Sequence, residues 1–365
     1  MGASQLSTSP GTGTEPATTR KQEAYRRFPD GLSEDLLALD DRELLRALGE
    51  PTLIRVPGTG ERPPRAISCL LHGDESTGYH AVLKVLRRRR RYPFDLYVVI
   101  GNVRAALADE GFSHRYLDDQ EDFNRVWGLG DPTTSLRRAA DGILAELTDA
   151  GIEALVDVHN NSGNNPFYAI ATTERPDTLN LATLFTTTIL YWDLGAHTLM
   201  EVLDERVATI AVECGLPDRP ESLAFAVDGL RRYLGEDDLR GERLRRDFDM
   251  LGGLRKVHVR PEVRFSFGGE LSDDTDFVVA ADADVLNFVV VPAGHVLGRV
   301  HPGGALPLRA VDAAGEDVTD QHFRVLDGAV VTTAPITPVM MTRTVEAARK
   351  DCLFYVTMEL PPPAL

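Results

Sequence analysis

Positive charge is scarce in this sequence: 39 lysines and arginines stand against 56 aspartates and glutamates, a formal net charge of −17. So acidic a chain repels phosphate backbones and anionic lipid, which argues against nucleic-acid or membrane-surface partners. The arginine run at residues 87–91 does not overturn this. It reads as the end of a helix, where cations suit the dipole, and Tyr92-Pro93 then stops the helix. Cysteine is scarce too. Cys69, Cys214 and Cys352 have no paired spacing, which argues against a disulfide framework and fits a reducing compartment. No apolar run approaches the ~18–20 residues of a membrane span, and the N-terminus lacks the apolar core of a signal peptide. A cytoplasmic protein that meets neither nucleic acid nor membrane is the expectation.

What remains is a soluble globular composition, long enough at 365 residues for two domains. Residues 1–25 are rich in Ser, Thr, Gly and Pro and read as disordered. Leu32, Leu36, Leu37, Leu44, Leu45 and Leu48 then give a helical spacing that Pro51 closes. Strands are expected at residues 52–56, 66–71, 95–100, 154–159, 167–171 and 207–213. Helices are expected after Gly78 and at residues 135–150, 177–190 and 221–234. Strands alternating with helices predict an α/β domain over residues 26–236, a mixed sheet with helices on both faces. Beyond a charged linker at 236–249 the texture becomes short strands and turns. Strand candidates at 257–267, 277–280, 285–291, 296–300 and 352–358 make residues 250–365 a smaller β-rich C-terminal domain.

The stretch that organises the chain runs from Ala66 to Gly78. Its apolar strand breaks at Gly73 and resumes as a helix, leaving His72 and Glu75 on the loop at the strand's carboxyl end. Open α/β sheets form their sites there. Alone, H-x-x-E reads equally well as two ordinary turn residues. Two more strands, however, end in ionisable side chains, at His159 and Glu213. Each has a bland reading, a hydrogen-bonded strand-end histidine and a salt-bridged carboxylate. Together they converge on one sheet edge. Two histidines and a glutamate (His72, Glu75, His159) form a catalytic zinc set with a position left for water. Glu213 would then be the unligated carboxylate that takes the water's proton. The polar loop at 104–130 is too long for an idle connection and reads as functional.

These motifs resemble, in order, those of the succinylglutamate desuccinylase/aspartoacylase family, the amide-hydrolase branch of the zinc carboxypeptidase-like fold. His-Gly-Asp-Glu-Ser-Thr-Gly at 72–78 is similar to its H-G-x-E-x-x-G metal motif, and Gly101-Asn102-Val103-Arg104-Ala105 to its G-N-P-x-A strand end. Arg115-Tyr116 and Asp122-Phe123-Asn124-Arg125 resemble its R-Y and D-[LFM]-N-R pair. Val156-Asp157-Val158-His159 is similar to D-x-H, and Val212-Glu213-Cys214-Gly215 to V-E-x-G. The resemblance implies one zinc held by His72, Glu75 and His159, with Glu213 as general base and Arg115 on the developing oxyanion. It implies Asn124 and Arg125 as a clamp for a substrate carboxylate, for which a planar guanidinium is suited. The segment between Arg115 and Asn124 is longer than the family pattern by two residues, and Val103 replaces its proline. Met340, Met341, Tyr355 and Tyr168 are candidates for a further substrate contact. The loop from Asn160 to Pro166 reads equally as an acyl-group reader or a plain turn. The implied activity is zinc-dependent hydrolysis of an N-acyl amino acid or a related small carboxylate-bearing amide. A zinc carboxypeptidase acting on short peptides and a catalytically silent binding homologue are the alternatives. The partner is a small molecule, and a homo-oligomer is compatible with the sequence.

Overall fold

The computed structural model describes residues 24–241 and 244–361. The stretch expected to be disordered lies outside the described residues except at its end, where Tyr25 is buried in an apolar layer with Ile143 and Leu147. In chain order the strands are β1 (Arg26–Phe28), β2 (Thr52–Val56), β3 (Arg65–Cys69), β4 (Leu96–Ile100), β5 (Ala154–His159), β6 (Tyr168–Ala171), β7 (Thr188–Tyr191), β8 (Ala208–Glu213) and β9 (Asp249–Val259). They continue with β10 (Phe265–Phe267), β11 (Phe277–Val279), β12 (Val296–Val300), β13 (Leu308–Val311), β14 (Phe323–Leu326), β15 (Ala329–Thr332), β16 (Thr337–Val339) and β17 (Phe354–Leu360).

Among the described residues the main sheet runs β1-β2-β4-β3-β5-β8-β6-β7-β9-β17-β16, with β13 also on β9. A second sheet runs β10-β11-β12-β15-β14. From β3 the chain goes to β4 on one side and then to β5 on the other, all three parallel, and β8 continues parallel beyond β5. That reversal is a topological switch point, and a crevice opens at the carboxyl ends of β3 and β5.

Alternation decides which side chains reach it. In β5 Ala154, Val156 and Val158 face one apolar layer, shared with the helices Ser76–Arg87 and Pro220–Gly235. Leu155 faces the other layer, with the helix Ser135–Ala150. Period two then puts Asp157 and His159 on the Leu155 side. The mixed α/β architecture with a second small sheet is as expected.

Several local expectations need correction. The helix expected at 177–190 is Pro176–Thr183, after which β7 forms. Thr186, Thr187, Thr188 and Ile189 are β-branched, and such side chains fit a pleated surface better than a helix. Residues 285–291 are no strand; a 3-10 turn at Ala283–Leu286 leads into an isolated bridge at Val291. The polar loop at 104–130 contains the helix Val103–Leu107 and a 3-10 turn at Phe123–Arg125. The arginine run does end the helix Ser76–Arg87 at the surface, as expected, with Arg87 paired to Asp41 at 2.6 Å and Arg89 to Glu34. The main sheet also does not stop at the charged linker. β9 pairs with β7 on its far side and is followed in the sheet by β17 and β16.

Candidate functional site

The loop after β3 is shaped by close approaches. Leu70 turns the chain at φ +58°. A Cβ at Gly73 would lie 2.6 Å from the Ala106 nitrogen, so no other residue lets the loop pass that backbone. The helix Ser76–Arg87 then starts directly after Glu75. Glu75 occupies the N-cap position without capping, which leaves its carboxylate for other partners. At Gly78 a Cβ would meet the Val158 carbonyl oxygen at 2.9 Å, so the helix lies tight on β5 and brings Glu75 to His159.

His72, Glu75 and His159 come together as expected, all buried. Glu75 Oε1 lies 2.7 Å from His72 Nδ1, and Oε2 lies 2.7 Å from His159 Nδ1. Their potential ligand atoms are all within 4.8 Å of one another. The Asn160 backbone N–H also donates to Glu75 Oε2, at 3.1 Å. On the far side of its ring, His159 Nε2 is 2.8 Å from Asp157 Oδ2, and Ser68 Oγ donates to Asp157 Oδ1 at 2.6 Å. A proton held on Nε2 by Asp157 leaves the Nδ1 lone pair turned to the cluster, the usual way a carboxylate orients a metal-binding imidazole. His72 Nε2 is 3.2 Å from Asp122 Oδ1 but lacks hydrogen-bond geometry.

The electrostatics of this cluster demand positive charge. Burial works to raise the Glu75 carboxyl, yet the His72 and His159 imidazoles overcome it and hold the group well below the usual carboxylate range. Burial works to lower His159, but Asp157 and Glu75 hold it well above its ordinary value. His72 is raised likewise, burial and Arg115 being outweighed by Glu75 and Asp122. Two imidazole nitrogens and a carboxylate, buried and short of positive charge, suit a metal ion.

Glu213 stands beside this group and outside it. It is the register partner of His159 at the end of β8, and it is buried. Burial and the charge of Glu75 push its carboxyl up to about 7, while His159, His72 and Arg115 pull the other way. Asn161 Nδ2 donates to Glu213 Oε2 at 2.9 Å. Arg115 is fixed by Asp122, with Nε and Nη2 at 3.1 and 3.0 Å from Oδ2, and its Nη1 lies 4.0 Å from Glu75 Oε1.

Asn124 and Arg125 both line the cavity above the cluster, whose volume is about 390 Å³. Asp122 caps the turn that carries them, accepting from the Asn124 N–H at 2.9 Å, and Asn124 Oδ1 is buried without a partner. Arg125 donates to the Asn124 carbonyl at 2.9 Å and faces Asp351 Oδ2 at 3.8 Å, while Lys256 holds Asp351 Oδ1 at 2.7 Å. The cavity thus already supplies Arg125 with an acidic neighbour.

Of the other candidates, Tyr355 and Met340 line the cavity. Met341 is buried in the core of the second sheet. Tyr168 is buried, and its hydroxyl accepts from Asn161 at 3.0 Å. The loop from Asn160 is structurally engaged. Asn160 bridges the Thr77 N–H and the Gly215 carbonyl, and Ser162 meets Thr342. Glu201, another carboxylate of this region, is consumed by helix capping and by the Trp192 N–H.

Sequence reasoning gave no role to Asp157, Asp122, Asp351 or Lys256, and placed Asn161 only in a loop read equally as an acyl-group reader or a plain turn. Asp157 carried a signal, since period two places it on the His159 side. Asp351 carried none, because its position depends on pairing between distant strands.

Residues 62–202 match the model of the succinylglutamate desuccinylase/aspartoacylase catalytic domain. No curated protein matches the sequence. Among solved structures the chain is similar to succinylglutamate desuccinylase from Vibrio parahaemolyticus, at 18% identity over 84% of both chains and a TM-score of 0.53. It is similar also to a succinylglutamate desuccinylase/aspartoacylase from Rhodobacter sphaeroides, at 16% identity over 84% of this chain and 88% of that one, again with a TM-score of 0.53. At such identities the likeness shows the fold. The family match contains His72, Glu75, Arg115, Asn124, Arg125 and His159 and stops before Glu213. Over residues 62–202 the chain is similar to the catalytic domain of the succinylglutamate desuccinylase/aspartoacylase family.

Proposed function

We propose that this protein is a zinc-dependent amidohydrolase that deacylates an N-acyl amino acid or a related small amide bearing a carboxylate. The observation that carries the reading is the buried His72–Glu75–His159 cluster with the unligated, proton-accepting Glu213 beside it. His72 Nδ1, the Glu75 carboxylate and His159 Nδ1 would hold the metal. Zinc in that set supplies a Lewis acid and lowers the pKa of water to about 7.

The chain's own groups do the rest. Glu213 accepts a proton as the water oxygen bonds to the scissile carbonyl carbon. It then delivers that proton to the amide nitrogen as the C–N bond breaks, releasing a carboxylate and an amine. Arg115, locked by Asp122, directs fixed N–H donors at the charge developing on the carbonyl oxygen. Asn124 and Arg125 hold the substrate carboxylate and thereby place the amide. A cavity of about 390 Å³ walled by Thr342, Asp351 and Tyr355 suits a small substrate better than a peptide.

The test combines metal analysis with turnover on a panel of N-acetyl and N-succinyl amino acids, their carboxamides and dipeptides. Expected are about one zinc per chain, loss of zinc in His72→Ala and His159→Ala, and turnover of free-acid amides. Glu213→Gln should keep its zinc and lose ~10²–10⁴-fold in kcat. Full zinc in both histidine variants would refute the ligand set. Turnover confined to dipeptides would replace the deacylase by a carboxypeptidase, and no turnover of any member would leave a silent homologue.

A further inference from the structure

Glu213 needs more than a place at the end of β8. A flexible carboxylate serves as a base only when one oxygen is kept aimed at the water. We infer that Asn161 is the positioning residue of Glu213, an inference that rests on Glu213 being the base. Asn161 Nδ2 carries two protons and meets two acceptors, Glu213 Oε2 at 2.9 Å and Tyr168 Oη at 3.0 Å. Chemistry fixes the orientation of this amide, since a reversed one would turn its carbonyl oxygen on a carboxylate. Oε2 is thereby committed, which leaves Oε1 for the proton of the water.

The rest of the loop does not need this side chain. The Asn161 backbone N–H is bonded to the Gly215 carbonyl at 2.9 Å, and Asn160 supplies the side-chain bridge to Thr77 and Gly215. Asn161 Oδ1 is moreover buried without a hydrogen-bond partner, which costs free energy. A residue kept only to stabilise the loop would not leave such an acceptor. Tyr168 in turn cannot drift. It is fully buried on β6, in register with Glu213, with the Phe288 ring 4.7 Å away. The result is a rigid line from the C-terminal segment through Tyr168 and Asn161 to one oxygen of the base.

The experiment uses the zinc-loaded full chain and the best free-acid substrate of the panel. It compares wild type, Asn161→Ala, the isosteric Asn161→Asp, Glu213→Gln and the double variant Asn161→Ala/Glu213→Gln. Loss of a hydrogen bond to a charged group predicts a ~10–100-fold fall in kcat for Asn161→Ala, with KM and zinc content within about twofold of wild type. Asn161→Asp, which keeps the shape and removes the donor, should fall at least as far, and it covers the case in which the alanine variant does not fold. The double variant should be no slower than Glu213→Gln alone, because the amide acts through that carboxylate. An independent signature is the infrared carboxylate band isolated by subtracting Glu213→Gln from wild type. The same subtraction in the Asn161→Ala background should give a shifted band. An inactive Glu213→Gln alongside an Asn161→Ala of unchanged kcat and unshifted band would overturn the inference and spare the base. Equal losses from Asn161→Ala in both backgrounds would overturn it too. A fully active Glu213→Gln would instead remove the base assignment, and the inference with it.

Discussion

Asp351 should compete with the substrate for Arg125. Its Oδ2 lies 3.8 Å from Arg125 Nη2, close enough that a substrate carboxylate arriving at this guanidinium meets a like charge. At that separation and an effective dielectric constant near 20, two unit charges interact by ~4 kcal/mol. Both side chains keep more than a quarter of their exposure, at 29% and 27%, so water reduces the effect. Lys256 at 2.7 Å from the other oxygen offsets part of the charge as well. A net ~1–2 kcal/mol remains, or a ~5–30-fold effect on binding. Asp351→Asn keeps the shape and an acceptor for Lys256 and removes the charge. KM for the free-acid substrate should fall by that factor, while kcat, set at the His72–Glu75–His159 end of the cavity, changes less. The assay is initial rate against concentration for the acid and its carboxamide, in wild type, Asp351→Asn and Arg125→Ala/Asp351→Asn. The gain should be confined to the acid and vanish in the double variant. An unchanged or higher KM for the acid in Asp351→Asn would mean that Arg125 exists to hold Asp351, and the clamp would have to be sought elsewhere.

Asp157→Asn should weaken zinc affinity ~10–100-fold, the usual cost of losing a carboxylate behind a metal-binding imidazole, as read by competition with a chelating dye; unaltered affinity would disconnect Asp157 from the metal. In chelator-treated protein, Glu213→Gln should be more stable than wild type at pH 8 and equal to it at pH 4. The folded Glu213 carboxyl is raised from 4.5 to about 7, so the native state binds more protons than the unfolded chain within that window and wild type loses stability as pH rises through it. The ceiling is ~3 kcal/mol, measured as urea midpoints across the range, and a wild type at least as stable as the variant at pH 8 would contradict the raised carboxyl.

Elements with strong local signals could be read from the sequence almost to the residue. The helix Ser135–Ala150 starts behind a Thr134 cap and ends at Gly151 in the left-handed region, and β5 is six buried residues closed by a histidine. The site elements belong to this class, because His72, Glu75 and His159 each sit at or just after a strand end that apolar runs mark. Failures came where local preference was ambiguous or overruled. Residues 177–190 carry enough Leu and Ala to continue a helix, yet the central sheet takes the threonine-rich end as β7. Residues 285–291 are apolar and β-branched, yet Asp284 and Asn287 turn the chain to meet the loop around Asn164 and Met341. Arg115 lies 4.0 Å from Glu75, and that Asp122 holds it is a long-range fact. Asp351 and Lys256 could not be found from sequence at all, since Asp351 follows the helix Val345–Lys350 and reaches Lys256 on β9 only because β17 pairs with β9.

The charges of the polar centre also support the proposal of a divalent ion among these side chains. Glu75, Asp122 and Asp157 are carboxylates in mutual reach of the two imidazoles, and Arg115 is the guanidinium ion-paired with Asp122 and 4.0 Å from Glu75. With neutral imidazoles, these carboxylates outweigh the one guanidinium and leave negative charge uncompensated in a buried place, which a low-dielectric interior does not tolerate. Protons on both histidines offset that charge, which is the direction in which both are driven. Those protons, however, would occupy the Nδ1 atoms that face Glu75, leaving no lone pair for chemistry. A divalent ion meets the same deficit while keeping the imidazoles neutral and each Nε2 free to bond outward. Glu213 stays outside this balance. It is buried enough to be reluctant to carry charge and joined to Asn161 rather than to the cluster, the condition under which a carboxylate can take a proton and give it back.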